Sequence, residues 1–520
     1  MSAHRWSTGD MTPPPERNHL FHALLADRAD DDRPFLHLAD GKVWTYRDMI
    51  ALSGRMAAVL ADHGAMAGDR VAVQVQKSPE ALALYFACLR AGLALVPLNP
   101  GYTTVEVDYF LGDAEPVLFV GHSDHTDELA AMTSPRGIAL LTLDADGSGT
   151  LTELAHSAAE LAPVPRGADD LAGILYTSGT TGRSKGAMLS HENLLSNARS
   201  LVEGWRFTGD DVLLHALPIF HTHGLFVAVN VTVAAGGSMI FLPNFEPDQM
   251  VRLLPRSTAM MGVPTFYTRL LDHPDFDEEL VSHMRLFVSG SAPLLPDTHA
   301  EFVQRTGKRI LERYGMTETS MITSNPYDGE RRAGTVGFPL PRVNVRVCDA
   351  ETGAEVEAGE VGVIEVTGPN VFNGYWRMPE KTAEEFRPDG YFVTGDLGQL
   401  DPDGYLQIVG RGKDLIISGG LNVYPKEVES EIDEIDGVLE SAVIGVPHAD
   451  LGEGVVAVVV MRLDAQTDEE SIVGALSGRL ARFKQPKRVV FAVELPRNTM
   501  GKVQKGVLRQ EHAGLLNQLR

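Results

Sequence analysis

The stretch Tyr176-Thr177-Ser178-Gly179-Thr180-Thr181-Gly182-Arg183-Ser184-Lys185-Gly186 sets hydroxyl side chains, closely spaced glycines and a lysine directly after the apolar run Leu171 to Leu175. A strand opening into such a loop offers backbone N–H groups, hydroxyl donors and a cation to one triphosphate. It is not a Walker A loop, because no Gly-Lys-Ser/Thr ending falls at the required spacing.

Other groups invite the same question. In His221-Thr222-His223-Gly224 the two histidines stand one residue apart at a helix start, where their side chains point in different directions, so they do not read as a metal pair. The run His122, Asp124, His125 and Asp127 has ligand chemistry, but its polar surroundings read as a solvated loop. Taken singly, Glu318 would be a helix-cap carboxylate, Thr394-Gly395-Asp396 a turn, and Gly501-Lys502 a solvated turn near the C-terminus.

The elements that must carry these residues are legible from pattern. Amphipathic helices alternate with short β-branched runs, as in Glu80 to Ala91 then Leu93 to Pro97, and Thr298 to Thr306 then Arg309 to Glu312. This predicts α/β layers with parallel strands. After about Gly334 the texture changes to short strands broken by Gly, Pro and Asp, among them Val343 to Cys348, Gly362 to Val366 and Gly404 to Val409. Gly410-Arg411-Gly412-Lys413-Asp414 then leads into a last α/β segment, and glycines flanking charged residues suit a hinge.

At 520 residues the chain exceeds what one compact core organises, so a large body and a smaller unit are expected. A net charge of −25 argues against nucleic acid and anionic lipid as partners, while helix N-termini and a few local cations still allow a polyanionic small ligand. Cys88 and Cys348 are the two cysteines, too few and too separated for a disulfide framework or a cysteine metal site, which suits a reducing, cytoplasmic setting. Met1 to Arg17 lacks the apolar core of a signal peptide and reads as a frayed arm. His223 to Leu242 has roughly the 20-residue length of a membrane span. Asn230, Gly236 and Gly237 interrupt it, so a buried helix followed by a buried strand is expected instead.

The Tyr176 to Gly186 loop resembles the phosphate-binding signature of the adenylate-forming superfamily, which includes acyl-CoA synthetases, luciferases and peptide-synthetase adenylation domains. Further blocks similar to that family follow in order between about Trp44 and Lys505. The resemblance implies an α/β fold: a large domain of layered α/β subdomains with a β-rich portion over 1–412, and a small mobile α/β domain over 413–520 turning about Lys413. It implies ATP and Mg²⁺ as cofactors and coenzyme A as co-substrate. Thr177, Ser178, Gly179, Thr180, Thr181, Gly182 and Lys185 would wrap the phosphates. In Tyr314-Gly315-Met316-Thr317-Glu318-Thr319 the ring of Tyr314 would pack on adenine, Thr317 would touch phosphate and Glu318 would hold Mg²⁺. Asp396 would accept from both ribose hydroxyls and Arg411 would contact ribose and phosphate. Gly419, Gly420 and Leu421 would line the pantetheine tunnel, and Lys502 would serve adenylation. His221 would face the acyl group, with His223 structural.

Stretches such as Ile219 to Phe226, Met260 to Arg269, Ser289 to Leu295, Glu312 to Tyr327 and Gly368 to Lys381 look like the malonyl-CoA synthetases within that superfamily. That similarity implies malonate or a similar small dicarboxylic acid as substrate. Its second carboxylate would need a fixed cation, since a buried unpaired charge costs several kcal/mol. Arg269, at the start of a predicted helix, is the expected ligand, with Ser289 and Ser291 as hydroxyl donors and Arg285 as a weaker candidate. Methylmalonate, or loading of a separate carrier protein, are the alternatives; a monomer or homodimer is expected.

Overall fold

The computed structural model describes residues 16–177, 184–418, 421–448, 451–463, 465, 467–477, 479–498 and 501–516. Its fold is mixed α/β. A nine-stranded sheet runs in the order Phe338–Pro339, Ser320–Ser324, Ile310–Met316, Leu286–Ser289, Ala259–Gly262, Val212–His215, Ser238–Phe241, Pro34–His37, Val43–Thr45. From Ile310–Met316 to Pro34–His37 the pairing is parallel. Several of these strands are buried at every position, as strands covered by helices on both faces must be. Their carboxyl ends, where open α/β sheets take ligands, present His215, Gly262, Ser289 and Met316.

A six-stranded sheet lies beside it and ends in the antiparallel hairpin Leu171–Thr177 and Lys185–Ser190. Helix Pro79–Ala91 illustrates the local logic: Ser78 accepts from the Ala81 N–H at its start, and Gly92 ends it in the left-handed region before the strand Ala94–Pro97. The apolar stretch considered as a span becomes a π-helical turn His223–Val229, a helix Asn230–Ala235 and a buried strand Ser238–Phe241. Among the described residues no helix is long and apolar enough to cross a membrane.

The β-rich portion is a four-stranded antiparallel sheet of Asn344–Cys348, Gly362–Thr367, Phe392–Leu400 and Leu406–Arg411. Its register sets Asp396 opposite Arg411. After the turn Gly412–Asp414 the chain builds a five-stranded sheet whose long hairpin, Val438–His448 and Gly452–Met461, is flanked by Arg488–Ala492.

Arg285 is engaged at the opposite, N-terminal end of the parallel strands. Its Nε and Nη2 each lie 2.6 Å from a carboxylate oxygen of the buried Asp211, which also accepts from Thr258 Oγ1 at 2.7 Å. This fork holds strand starts together and is remote from the strand ends that face the site. Arg285→Ala should therefore lower stability by roughly 3 kcal/mol, the scale for stranding a buried carboxylate. A lowered urea midpoint with unchanged Michaelis constants is the expected result.

Candidate active site

Tyr314 is buried near the end of the strand Ile310–Met316, and its Oη donates to Asp396 Oδ2 at 2.5 Å. Arg411 Nε lies 3.0 Å from the other oxygen of the same carboxylate. The parallel sheet and the β-rich sheet thus meet on one carboxylate. Burial, then Asp396, hold the Tyr314 phenol well above its ordinary range, so it stays a donor. Gly315, Met316 and Thr317 are half-buried beside it and lead into the tight turn that carries Glu318.

Glu318 is almost fully buried, and burial raises its carboxyl above the usual range. Tyr375 Oη lies 2.9 Å from Glu318 Oε1 and 2.7 Å from Glu385 Oε2. A phenol has one proton to give, and Glu385 is also paired with Lys381 at 3.1 Å as well as with Lys185, so among the described residues Glu318 is the carboxylate of the two with no lysine directly on it; its hard oxygens suit a divalent cation. Lys185 approaches from the phosphate-loop hairpin, 3.2 Å from Glu385 Oε1 and 4.1 Å from the centre of the Tyr375 ring. Thr177 pairs with Lys185 across the hairpin. Ser178, Gly179, Thr180, Thr181 and Gly182 lie outside the described residues. The sequence reading missed Tyr375 and Glu385, which are carried here by backbone bonds from Trp376 N to Gly186 O and from Phe372 N to Glu318 O, each 2.7 Å.

On the acyl side, His221 and His223 flank Thr222 at the π-helical turn, a conformation concentrated at functional sites. The turn closes on Pro218 so tightly that a Cβ on Gly224 would stand 1.9 Å from the Pro218 carbonyl oxygen. Burial, then Arg313, lower His221 to about 4 and hold His223 well below its ordinary value, so both rings are neutral. Ser291, with φ of 71°, sets its Oγ 3.3 Å from His223 Nδ1, whereas the buried Ser289 Oγ has no hydrogen-bond partner among the described residues. Ser289 is therefore the hydroxyl with capacity to spare.

The cation in this wall is Arg313. It lies inside the strand Ile310–Met316, over Gly290, where a Cβ would stand 2.3 Å from its Cζ. Its Nε and Nη2 are buried with no hydrogen-bond partner among the described residues, and burial pulls its guanidinium down to about 9. Arg269 is corrected by the same geometry. Helix Pro264–Leu271 turns Tyr267, Leu270 and Leu271 into the core, which leaves Arg269 exposed on an outer groove with Asp248, Arg252, Asp272 and Asp275. Arg313 went unnoticed in the sequence; its signal was a Glu312-Arg313 pair inside an otherwise apolar strand.

A buried lysine steadies the turn. Lys77 Nζ lies 2.8 Å from His215 Nδ1, 3.0 Å from His215 O and 2.9 Å from Leu217 O, while His215 Nε2 donates to Gly224 O at 2.8 Å. Both ends of the segment that displays His221 are thereby pinned.

From the last sheet, Lys502 reaches the nucleotide side, close enough for Arg411, Asp396, Asp414 and Glu318 to act on its charge. Burial, then Arg411, lower its amine to about 8, and Lys413 is lowered to about 8 by burial, then Arg411, with Lys502 contributing. Leu421 is exposed, and Gly419 and Gly420 lie outside the described residues. His122 sits on the surface, 3.4 Å from Asp144, and no group of three or more metal-competent side chains occurs among the described residues.

The described residues thus set an acidic side of Asp396, Glu318 and Glu385, a buried guanidinium side at Arg313, and Lys502 from the C-terminal segment within electrostatic reach of Glu318 and Asp396. Residues 25–376 match the family model described as AMP-binding enzyme, and residues 427–502 match the AMP-binding enzyme C-terminal domain. The chain belongs to the AMP-binding enzyme family. The ATP-bound crystal structure of MatB from Rhodopseudomonas palustris is 58% identical, covers 96% of this chain and 100% of that one, and superposes with a TM-score of 0.95. A malonate–CoA ligase of Arabidopsis thaliana is 33% identical over 94% of this chain and 88% of its own. A long-chain-fatty-acid–CoA ligase of Bacillus subtilis is 34% identical over 91% and 90%.

The shifted lysines give a direct test. Lys502 should be cationic below about pH 8 and neutral above it in the nucleotide-free protein, read by NMR of labelled lysine amines. Lys413→Met should move that midpoint upward, because removing a like charge favours the protonated amine.

Proposed function

We propose that the chain joins malonate to coenzyme A at the expense of ATP, through malonyl-AMP, releasing pyrophosphate and then AMP. Curated relatives of similar identity act on a long-chain acid and on malonate, while the much higher identity to MatB favours malonate. The choice is carried by Arg313, a buried guanidinium with two nitrogens unpaired among the described residues. A pocket for a hydrocarbon chain has no use for such a cation, whose desolvation costs several kcal/mol unless an anion meets it. A carboxylate matches its fork, and Ser289 Oγ adds a donor.

In this reading ATP lies with its adenine by Tyr314 and its ribose hydroxyls on Asp396, with Arg411 turned to ribose and phosphate. The hairpin from Thr177 to Lys185 wraps the phosphates, Lys185 leaving Glu385 to do so, and Thr317 adds its hydroxyl. Mg²⁺ would be held by Glu318 with Glu385 alongside, supplying charge neutralisation on the phosphates. One malonate oxygen attacks the α-phosphorus, and the bond to the bridging oxygen breaks as pyrophosphate departs with the electron pair. Lys502 spans attacking carboxylate and α-phosphate and offsets the charge that builds there. His221, neutral, lies against the acyl group.

The small unit 413–520 then turns about Lys413, removing Lys502 and bringing Gly419, Gly420 and Leu421 to the tunnel. Coenzyme A thiolate adds to the acyl carbon, and the C–O bond to AMP breaks. Pyrophosphate release over a panel of mono- and dicarboxylic acids, with and without coenzyme A, tests the assignment: malonate should lead. Arg313→Met should raise the half-saturating malonate concentration about a hundredfold, close to the ~3 kcal/mol of a charge-assisted pair, and that for ATP little. Preference for a monocarboxylic acid by the unaltered enzyme, or unchanged malonate use in the variant, overturns it.

A further inference from the structure

Lys502 sits at the end of a tight turn, and the bonds of that turn identify what aims it. Asn498 closes the turn on itself: its N–H donates to Lys502 O, its Oδ1 accepts from Lys502 N, and its carbonyl accepts from Gly501 N, each at 2.9 Å. None of these bonds fixes the turn relative to the sheet beneath it. Arg497 does: Nη1 donates to Gly501 O at 2.6 Å and Nη2 pairs with Glu440 Oε2, on the strand Val438–His448. Arg497 also bridges Val503 across the base of the turn. On the other side, Gly501 faces helix Pro264–Leu271, where a Cβ would stand 3.4 Å from Thr265 Oγ1. Gly501 is thus seated between the last sheet and helix Pro264–Leu271, and the guanidinium ties its carbonyl to the sheet.

We propose that Arg497, anchored by Glu440, is a positioning residue for adenylation: it holds the carbonyl before Lys502 so that the amine is delivered to the reacting phosphate. It touches no substrate and acts only through Lys502. The inference rests on the proposed role of Lys502. It predicts an asymmetry that a merely structural residue would not produce. Misplacing a lysine by a fraction of its reach slows the step that uses it, while the thioester step, in which that lysine takes no part, is indifferent.

The test measures the two half-reactions separately in the full-length enzyme, as pyrophosphate release from ATP and malonate without coenzyme A, and as thioester formation from supplied malonyl-AMP and coenzyme A. Arg497→Ala should slow the first by about tenfold to a hundredfold, the scale of a misplaced catalytic group. The second should stay within about twofold, since positioning affects only the step that uses the group. Arg497→Lys and Glu440→Gln should give smaller losses confined to the first step, and exchanging the two residues in the double variant Arg497→Glu/Glu440→Arg should recover part of the loss seen with Arg497→Glu. Equal losses in both half-reactions, or none in either, overturn the proposal. Lys502→Ala run in parallel separates the two readings: selective loss there but none with Arg497→Ala defeats the positioning role alone, whereas no selective loss with Lys502→Ala defeats the reading beneath it.

Discussion

Arg313 is a buried guanidinium with two nitrogens unpartnered among the described residues, and the groups around it are arranged to hold it in place. The strand that carries it is sealed on both faces, so the side chain cannot escape to solvent. Gly290 surrenders its side chain to make room. His221 and His223 are held neutral, which avoids adding like charge to a site that already bears one. Such an arrangement stores unfavourable electrostatic energy that an incoming anion relieves, so affinity is prepaid by folding rather than generated by closure.

The nucleotide side follows the opposite logic. Asp396 is satisfied twice over, by Tyr314 and Arg411. Glu318 and Glu385 share one phenol, and Lys185 and Lys381 both pair with Glu385. These groups come from the parallel sheet, the β-rich sheet and the segment around Tyr375. Their distances are therefore a property of how the layers stack, and residues such as Arg285 and Asp211 at the far strand ends serve the site by holding that stacking.

The alternation of helix and strand was plain in the sequence because each period answers directly to burial on one side of an element. Residue types within the ordered blocks were equally plain, since carboxylate, ring and lysine each suit one part of a nucleotide. What failed was direction. Arg269 follows Tyr267 and precedes Leu270, and that spacing on a helix points it outward, a clue that was present and unused. Arg313 gave no such clue: in a strand buried from Ile310 to Tyr314, alternation does not separate one face from the other. Tyr375 and Glu385 become partners of Glu318 only through backbone bonds across three segments, which no local pattern encodes. Lys77 precedes the helix Pro79–Ala91, and no local pattern encodes its three acceptors on His215 and Leu217.

The neutral histidines have a further meaning. With His221 lowered to about 4, His223 held well below its ordinary value and Arg313 at about 9, the charge on the acyl wall is the same from about pH 5 to pH 8. The protein side of recognition is a constant across that span. Discrimination then varies only with the guest, whose distal carboxyl must itself be ionised to be worth admitting, so the chamber weighs the protonation state of what enters it and contributes none of its own.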